Sequence, residues 1–336
     1  MELIGNLPQS DLEELASLTS EILQDNQSVN FVIIGASGFL GSWLSAYFAL
    51  MQMSGEFRGT LSLLVRDLSK ISKLALKMKS PKFRVILIRD LDVNSFDHLT
   101  EDRVVVFFAA TSTNITLSES KKPFGSTTIL AENVISLLPK ENLTVIHLSS
   151  GAVYSPQARS LKVVPKGFET QNVGSDFYTQ EKINMENWLN GQESCGRLKA
   201  KNPRLFSFFG PGLQLDRHFA IGEFMASGKS LNEIIIRGNP ENLRSYLYPT
   251  DAIWQLLLQT KSGGPSHTQV GSAQSTTIAE AGFEIASMYG VKFIISERHT
   301  EEIDHYVPED VPTFEIVNFS EGLNRWRRWL NYSQEN

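Results

Sequence analysis

From residue 29 onward, short runs of apolar, β-branched and aromatic residues alternate with longer stretches whose apolar positions recur at helical spacing. Residues 31–34, 61–65, 83–88, 104–108, 144–148 and 204–208 read as strands, and 129–138 and 179–189 as helices among them. Strands that are almost wholly apolar and separated by helices predict an α/β fold, a doubly wound parallel sheet covered on both faces. Beyond Gly210 the alternation loosens into Gly, Pro and mixed elements, which predicts a smaller second lobe. Ahead of the first strand, Leu12, Leu15, Leu18, Ile22 and Leu23 outline an amphipathic helix with Ser10 or Asp11 as its N-cap, laid over the domain surface. The expected division is a helical extension at 1–28, a nucleotide-binding domain at 29–209, and a C-terminal lobe at 210–336 with segments returning to the sheet.

The first strand runs directly into Gly35-Ala36-Ser37-Gly38-Phe39-Leu40-Gly41 and then into helix-like sequence. Strand, glycine turn and helix in that order suit a dinucleotide pyrophosphate. Gly35 permits the tight turn, Gly38 lets the backbone approach the phosphates, and Gly41 lets helix and strand pack. The helix start offers unpaired N–H groups and a partial positive charge. Ser37, Phe39 and Leu40 belong to the same candidate cradle.

Composition narrows the classes. Hydrophobic residues make up 41% of the chain and charged ones 20%, as in a core-forming globular protein. A net charge of -6 argues against nucleic acid and anionic membrane as partners. The single cysteine, Cys195, rules out an intramolecular disulfide and disfavours a cysteine metal site. No apolar run has the length of a membrane span and no secretory pattern opens the chain, so a cytoplasmic protein is expected. The six histidines lack helical metal-ligand spacing, and no metal is expected. Of these, His147 reads as a strand residue and His218 as a residue of a loop in the second lobe.

Tyr178 and Lys182 stand four apart in a helical stretch, so phenol and ammonium can share one face. A nearby cation favours the phenolate, which would let Tyr178 exchange a proton with a hydroxyl or carbonyl at neutral pH. Ser149-Ser150-Gly151 follows a buried strand, at the sheet edge where a parallel fold collects reactive groups. The Ser150 hydroxyl could there hydrogen-bond the reacting oxygen. The competing readings are an ordinary helix pair and a serine turn that caps its own backbone.

Taken together, the glycine turn at 35–41, Ala109-Ala110 after the fourth strand, Ser150, and Tyr178 with Lys182 resemble the extended short-chain dehydrogenase/reductase family. The match is to its nucleotide-sugar epimerase, dehydratase and reductase branch. The stretches 204–211, 238–251 and 270–272 are similar to that branch's later motifs. The resemblance implies a Rossmann-type domain with a C-terminal substrate-binding lobe. It also implies Ser150, Tyr178 and Lys182 as catalytic residues, with Lys182 also touching the cofactor. Asp90, Leu91, Ala109, Ala110 and Thr111 become candidate cofactor contacts. Ser207, His218 and Arg244 join Ser150 and Tyr178 as candidate substrate contacts, Arg244 at the substrate diphosphate. A nucleotide-sugar substrate and a homodimer are further implications. For the dimer, Ile183, Met185, Trp188 and Leu189 supply surplus apolar surface, with Ile129, Val134 and Leu137 beside them.

Departures from the pattern carry meaning. Dehydratases of the branch have an Asp-Glu pair where this chain has Gly151-Ala152, which disfavours sugar dehydration. Glu181 and Glu186, near the Tyr/Lys pair, are expected to face solvent or a partner helix. Ser207, Pro240 and Thr127 replace the branch's usual Asn, Gly and Asn. At the end of the second strand, Arg66 stands where an acid would select NAD, which favours NADP through a 2′-phosphate, with NAD the alternative because Asp67 follows. The leading expectation is 4-keto reduction or 4-epimerisation of a nucleotide-linked sugar. The competing one is a non-catalytic NADP-binding or redox-sensing protein of the same fold.

Overall fold

The computed structural model describes residues 1–24, 29–78, 80–99, 103–110, 126–167, 176–215, 219–230, 233–261, 263–297, 300 and 302–335. Helix α1 (Gln9–Gln24) precedes strand β1 (Asn30–Ile34). Helix α2 (Phe39–Ser54) is followed by β2 (Leu61–Val65), β3 (Phe83–Leu87) and β4 (Val104–Phe108). Next come α3 (Ser126–Ser136), β5 (Leu143–His147), α4 (Phe177–Ser194) and β6 (Lys199–Leu205). Then follow α5 (Ala220–Ser230), α6 (Pro249–Leu258), β7 (His267–Val270), α7 (Ile278–Tyr289) and α8 (Phe319–Glu335).

The seven strands form one parallel sheet in the order β7-β6-β5-β4-β1-β2-β3, and the two-residue strand Ser149–Ser150 pairs with β6. The order reverses between β1 and β4, so a crevice opens there at the carboxyl edge of the sheet. Both faces are covered, as the apolar strands require. On one face Phe31, Ile33 and Leu63 pack with α1, α2 and α6 residues such as Leu15, Trp43 and Ile253. On the other, Val32, Ile34 and Val106 pack with Ala131 and Val134 of α3 and Met185 and Leu189 of α4. A separate core around Phe209, Tyr248, Ile285 and Trp326 holds the C-terminal lobe. The sheet reaches past residue 209, since β7 returns to it from the later sequence.

Several local expectations are corrected. Strand β6 begins at Lys199, because Lys201, Asn202 and Arg204 are polar yet buried with partners. Its ladder with β5 runs over Lys199–Lys201 and resumes, against Ser149–Ser150, at Arg204; Pro203, which has no N–H to donate, lies in the gap. Helix α1 starts at Gln9, so Ser10 and Asp11 are in its first turn rather than at its cap. Asp11 is buried and accepts the Tyr248 hydroxyl at 2.6 Å. Leu12, Leu15 and Ile22 belong to the main core, so α1 is part of the domain and not a covering laid over it. The surplus apolar surface of α4 is also internal. Ile183, Met185, Leu189 and Val134 are buried within the chain, Trp188 and Leu137 are half-buried, and Ile129 is exposed.

Candidate active site

The glycine turn lies at the mouth of the crevice between β1 and β4. Gly35 has φ +82°, and a Cβ there would stand 2.8 Å from the Ala110 nitrogen, so only glycine lets the two strand ends meet. A Cβ on Gly41 would lie 2.1 Å from the Gly35 carbonyl oxygen. The Gly38 N–H closes the turn on the Gly35 carbonyl at 2.9 Å. Helix α2 therefore starts at Phe39 with its first N–H groups at the sheet edge, where helix geometry leaves them without intrahelical acceptors. Ser37 and Phe39 are half-buried, and the Leu40 side chain is in the core, so Leu40 has only its backbone to offer an anion.

Other expected cofactor contacts surround this edge. Ala109 and Ala110 follow β4, with the Ala109 N–H on the Ile34 carbonyl at 2.9 Å. Arg66 is exposed at the end of β2. The Asp67 carboxylate is turned into its own loop, accepting the Ser69 N–H at 2.9 Å and hydroxyl at 2.8 Å, which holds it below its ordinary pKa. Asp90 is exposed beside Arg89, 3.5 Å away, and Leu91 is half-buried against the second face of the sheet. Thr111 and His218 lie outside the described residues.

Ser150, Tyr178 and Lys182 come together. Asp176 caps α4 by accepting the Thr179 N–H at 2.8 Å, which fixes the helix start just before Tyr178. The Lys182 ammonium lies 5.7 Å from the Tyr178 ring centre and donates to the Leu148 carbonyl. The Ser150 hydroxyl is the polar group that favours the ionised form of Tyr178. Burial nevertheless dominates and pushes the phenol above its ordinary value, opposite to the lowering expected from the sequence. Burial also drops Lys182 to about 7, opposed by the Glu186 carboxylate.

Glu186 is the largest correction near the site. It is buried, accepts the Ser149 hydroxyl at 2.5 Å, and pairs with Arg204 at 2.8 Å. His267 reaches the same carboxylate at 3.4 Å, and these partners outweigh burial to hold Glu186 at about 2. Glu181 is buried too and accepts the Thr127 N–H at 3.2 Å. Neither faces solvent: Glu186 meets Ser149 and Arg204 at the sheet, and Glu181 meets the start of α3 at Thr127. His147 is a fully buried strand residue, as expected, and burial lowers it to about 3.

In the C-terminal lobe a cavity of ≈ 390 Å³ is lined by Arg159, Arg237, Arg244, Glu223, Glu302 and Asp304 among others. Arg244 pairs with Asp304 at 3.0 Å, and Asp304 also holds Arg159 at 3.1 Å. Asp251, seven residues on from Arg244, is buried and accepts the Ile316 and Val317 N–H groups. Ser207 is half-buried in a two-residue strand beside Tyr246 and is not among the residues lining this cavity. Sequence reasoning missed Arg159, Asp304 and Tyr306. The Tyr306 hydroxyl lies 3.0 Å from the Ser150 hydroxyl, while its ring lies 6.0 Å from the Arg244 guanidinium. Nothing local marks these residues, which reach the site from distant segments. Among the described residues no His, Cys, Asp and Glu group is arranged to hold a metal, and no helix is long and apolar enough to cross a membrane.

The model of a family described as the NAD dependent epimerase/dehydratase family matches residues 31–271. No curated protein sequence matches the chain. A UDP-glucose 4-epimerase from Thermotoga maritima, solved with UDP-glucose, is similar at a TM-score of 0.71 and 18% identity, over 91% of this chain and 99% of that one. A UDP-glucuronic acid 4-epimerase from Bacillus cereus, solved with its substrate and NAD, gives 0.70 and 15%, over 90% and 99%. TunA, an NAD-dependent NDP-hexosamine 5,6-dehydratase, gives 0.65 and 18%, over 90% and 97%. At these identities the likeness to solved structures speaks to the fold.

Proposed function

Because this chain belongs to the NAD dependent epimerase/dehydratase family, we propose that it is an NAD(P)-linked enzyme acting at the 4-position of a nucleotide-linked sugar, by 4-keto reduction or 4-epimerisation. The observation that carries this reading is the meeting of Ser150, Tyr178 and Lys182 at the carboxyl edge of the sheet. Glycine at 35 and 41 lets the ends of β1 and β4 and the start of α2 come together, and Gly38 is exposed at that helix start, so the residues present fit a dinucleotide. The first turn of α2, Ala109 and Ala110 would hold it, with Lys182 beside the nicotinamide end. When bound, the dinucleotide supplies hydride transfer and, when oxidised, a positive charge near the phenol.

In this reading Tyr178 moves the proton at the sugar oxygen, Ser150 orients that oxygen, and Lys182 biases the phenol toward ionisation. Arg244 binds the substrate diphosphate, a task suited to its planar fork. Arg66 points the cofactor choice to NADP, supported by Asp67 being tied to Ser69, with NAD the alternative. A homodimer in a cytoplasmic setting belongs to the same reading by family resemblance. The competing role, dinucleotide binding without catalysis, has no use for the Ser, Tyr and Lys set.

The test is Tyr178→Phe, assayed against UDP-, CDP-, GDP- and dTDP-sugars and their 4-keto forms with both dinucleotides. Loss of an acid/base group costs about two to four orders of magnitude in rate. Cofactor binding should persist, since the ring remains. A Phe variant keeping more than roughly a tenth of the wild-type rate would remove Tyr178 from this role.

A further inference from the structure

The Ser150 hydroxyl stands between two phenols. Its oxygen accepts the Ala152 N–H at 3.1 Å and lies 3.0 Å from the Tyr306 hydroxyl, and the same group is the one that favours ionisation of Tyr178. A serine hydroxyl has one hydrogen to give and two lone pairs to receive with. Ala152 occupies one lone pair. Were Ser150 to give its hydrogen to Tyr306, nothing would remain for Tyr178. The Tyr306 hydrogen would then lack an acceptor among the described residues. The opposite direction gives the Tyr306 hydrogen its acceptor and leaves free only the Tyr178 hydrogen, the one the proposed reaction moves.

Tyr306 is built to stay in place. Its ring centre lies 4.8 Å from that of Phe206. Its backbone N–H donates to the Leu243 carbonyl at 2.8 Å, and its carbonyl accepts the Ser245 N–H at 3.1 Å. Gly151 makes the room, since a Cβ there would stand 3.0 Å from both the ring carbon bearing the hydroxyl and the hydroxyl oxygen. Burial pushes the Tyr306 phenol well above its ordinary pKa, so it keeps its hydrogen.

We propose that Tyr306 is a positioning residue of the reaction centre: it donates its hydroxyl hydrogen to Ser150 and thereby turns the Ser150 hydrogen toward Tyr178. The inference rests on the pairing of Ser150 and Tyr178 proposed above. It also gives Gly151 a role, because any side chain there would displace the phenol. The groups facing Tyr178 are Asp176 and Lys182 on its own helix and Ser150, backed by Tyr306, across from it. Glu186, one turn beyond Lys182, and the buried His147 act on Lys182.

The full chain, saturated with whichever of NAD and NADP binds more tightly, is titrated by tyrosinate absorbance. Tyr178→Phe identifies the transition of Tyr178 by removing it. Tyr306→Phe keeps the ring on Phe206 but cannot donate, and should move that transition up by roughly one pH unit. Gly151→Ala displaces the phenol without removing its hydroxyl and should give a similar shift. The double variant should shift no further than either single one. An unmoved transition in Tyr306→Phe, or additive shifts in the double variant, would overturn the inference. If Tyr178→Phe leaves the titration of the oxidised-cofactor complex unchanged, the role proposed for Tyr178 is what fails.

Discussion

Glu186 stands one helical turn beyond Lys182 on the buried side of α4 and grips Arg204 with both carboxylate oxygens, at 3.1 Å to Nε and 2.8 Å to Nη2. One carboxylate thus fixes the helix to β6, receives Ser149 beside Ser150, and opposes the loss of charge on Lys182. Glu186→Gln should leave a buried guanidinium without its counter-charge, which costs about 3–5 kcal/mol. Urea unfolding at neutral pH measures this, and a loss below about 1 kcal/mol would show that Arg204 is held by other contacts. In the wild type the Glu186 pKa falls from an ordinary 4.5 to about 2. Its contribution is therefore fully present above 4.5 and lost as pH falls through about 2, and Glu186→Gln should flatten stability over that acid window.

Arg66→Ala should weaken NADPH binding far more than NADH binding, because only NADPH carries the 2′-phosphate. A charge-assisted hydrogen bond of this kind is worth about 1.5–3 kcal/mol. Fluorescence titration with both cofactors checks it. Equal losses, or a wild type that binds NADH and not NADPH, would assign the protein to NAD.

Arg244→Ala should weaken binding of a nucleoside diphosphate by about one to two orders of magnitude and leave dinucleotide binding unchanged. The guanidinium lines the lobe cavity but is already paired with Asp304, so the effect measures the exchange of one anion for another. Calorimetry with UDP, CDP, GDP and dTDP would detect it. Unchanged affinity for all four would place the diphosphate elsewhere.

Sugar 4,6-dehydration should be absent. That reaction needs an acid and a base beside the reacting serine, and Gly151 and Ala152 offer neither. Tyr306 fills the space next to Gly151, and the buried Glu186 is committed to Arg204 and Ser149. Incubation with NAD and dTDP-glucose, CDP-glucose, GDP-mannose or UDP-N-acetylglucosamine should yield no 4-keto-6-deoxy sugar. A product lighter by one water, formed faster than in the enzyme-free control, would refute this.

The sequence by itself determined the glycine turn, the parallel alternation and the shared helix face of Tyr178 and Lys182, because each depends on residues a few positions apart. A strand period, a turn that only glycine can make and a four-residue helical step are local geometry. The tertiary structure alone decided which polar residues are buried and what they meet. Glu186 and Glu181 look like solvent-facing helix positions until β6, Ser149 and Thr127 close over them. Tyr306 and Asp304 are unremarkable in sequence and reach Ser150 and Arg159 across about 150 residues of chain. The direction in which burial moved Tyr178 belongs to the same class, since desolvation depends on everything packed around a group and not on its neighbours in sequence.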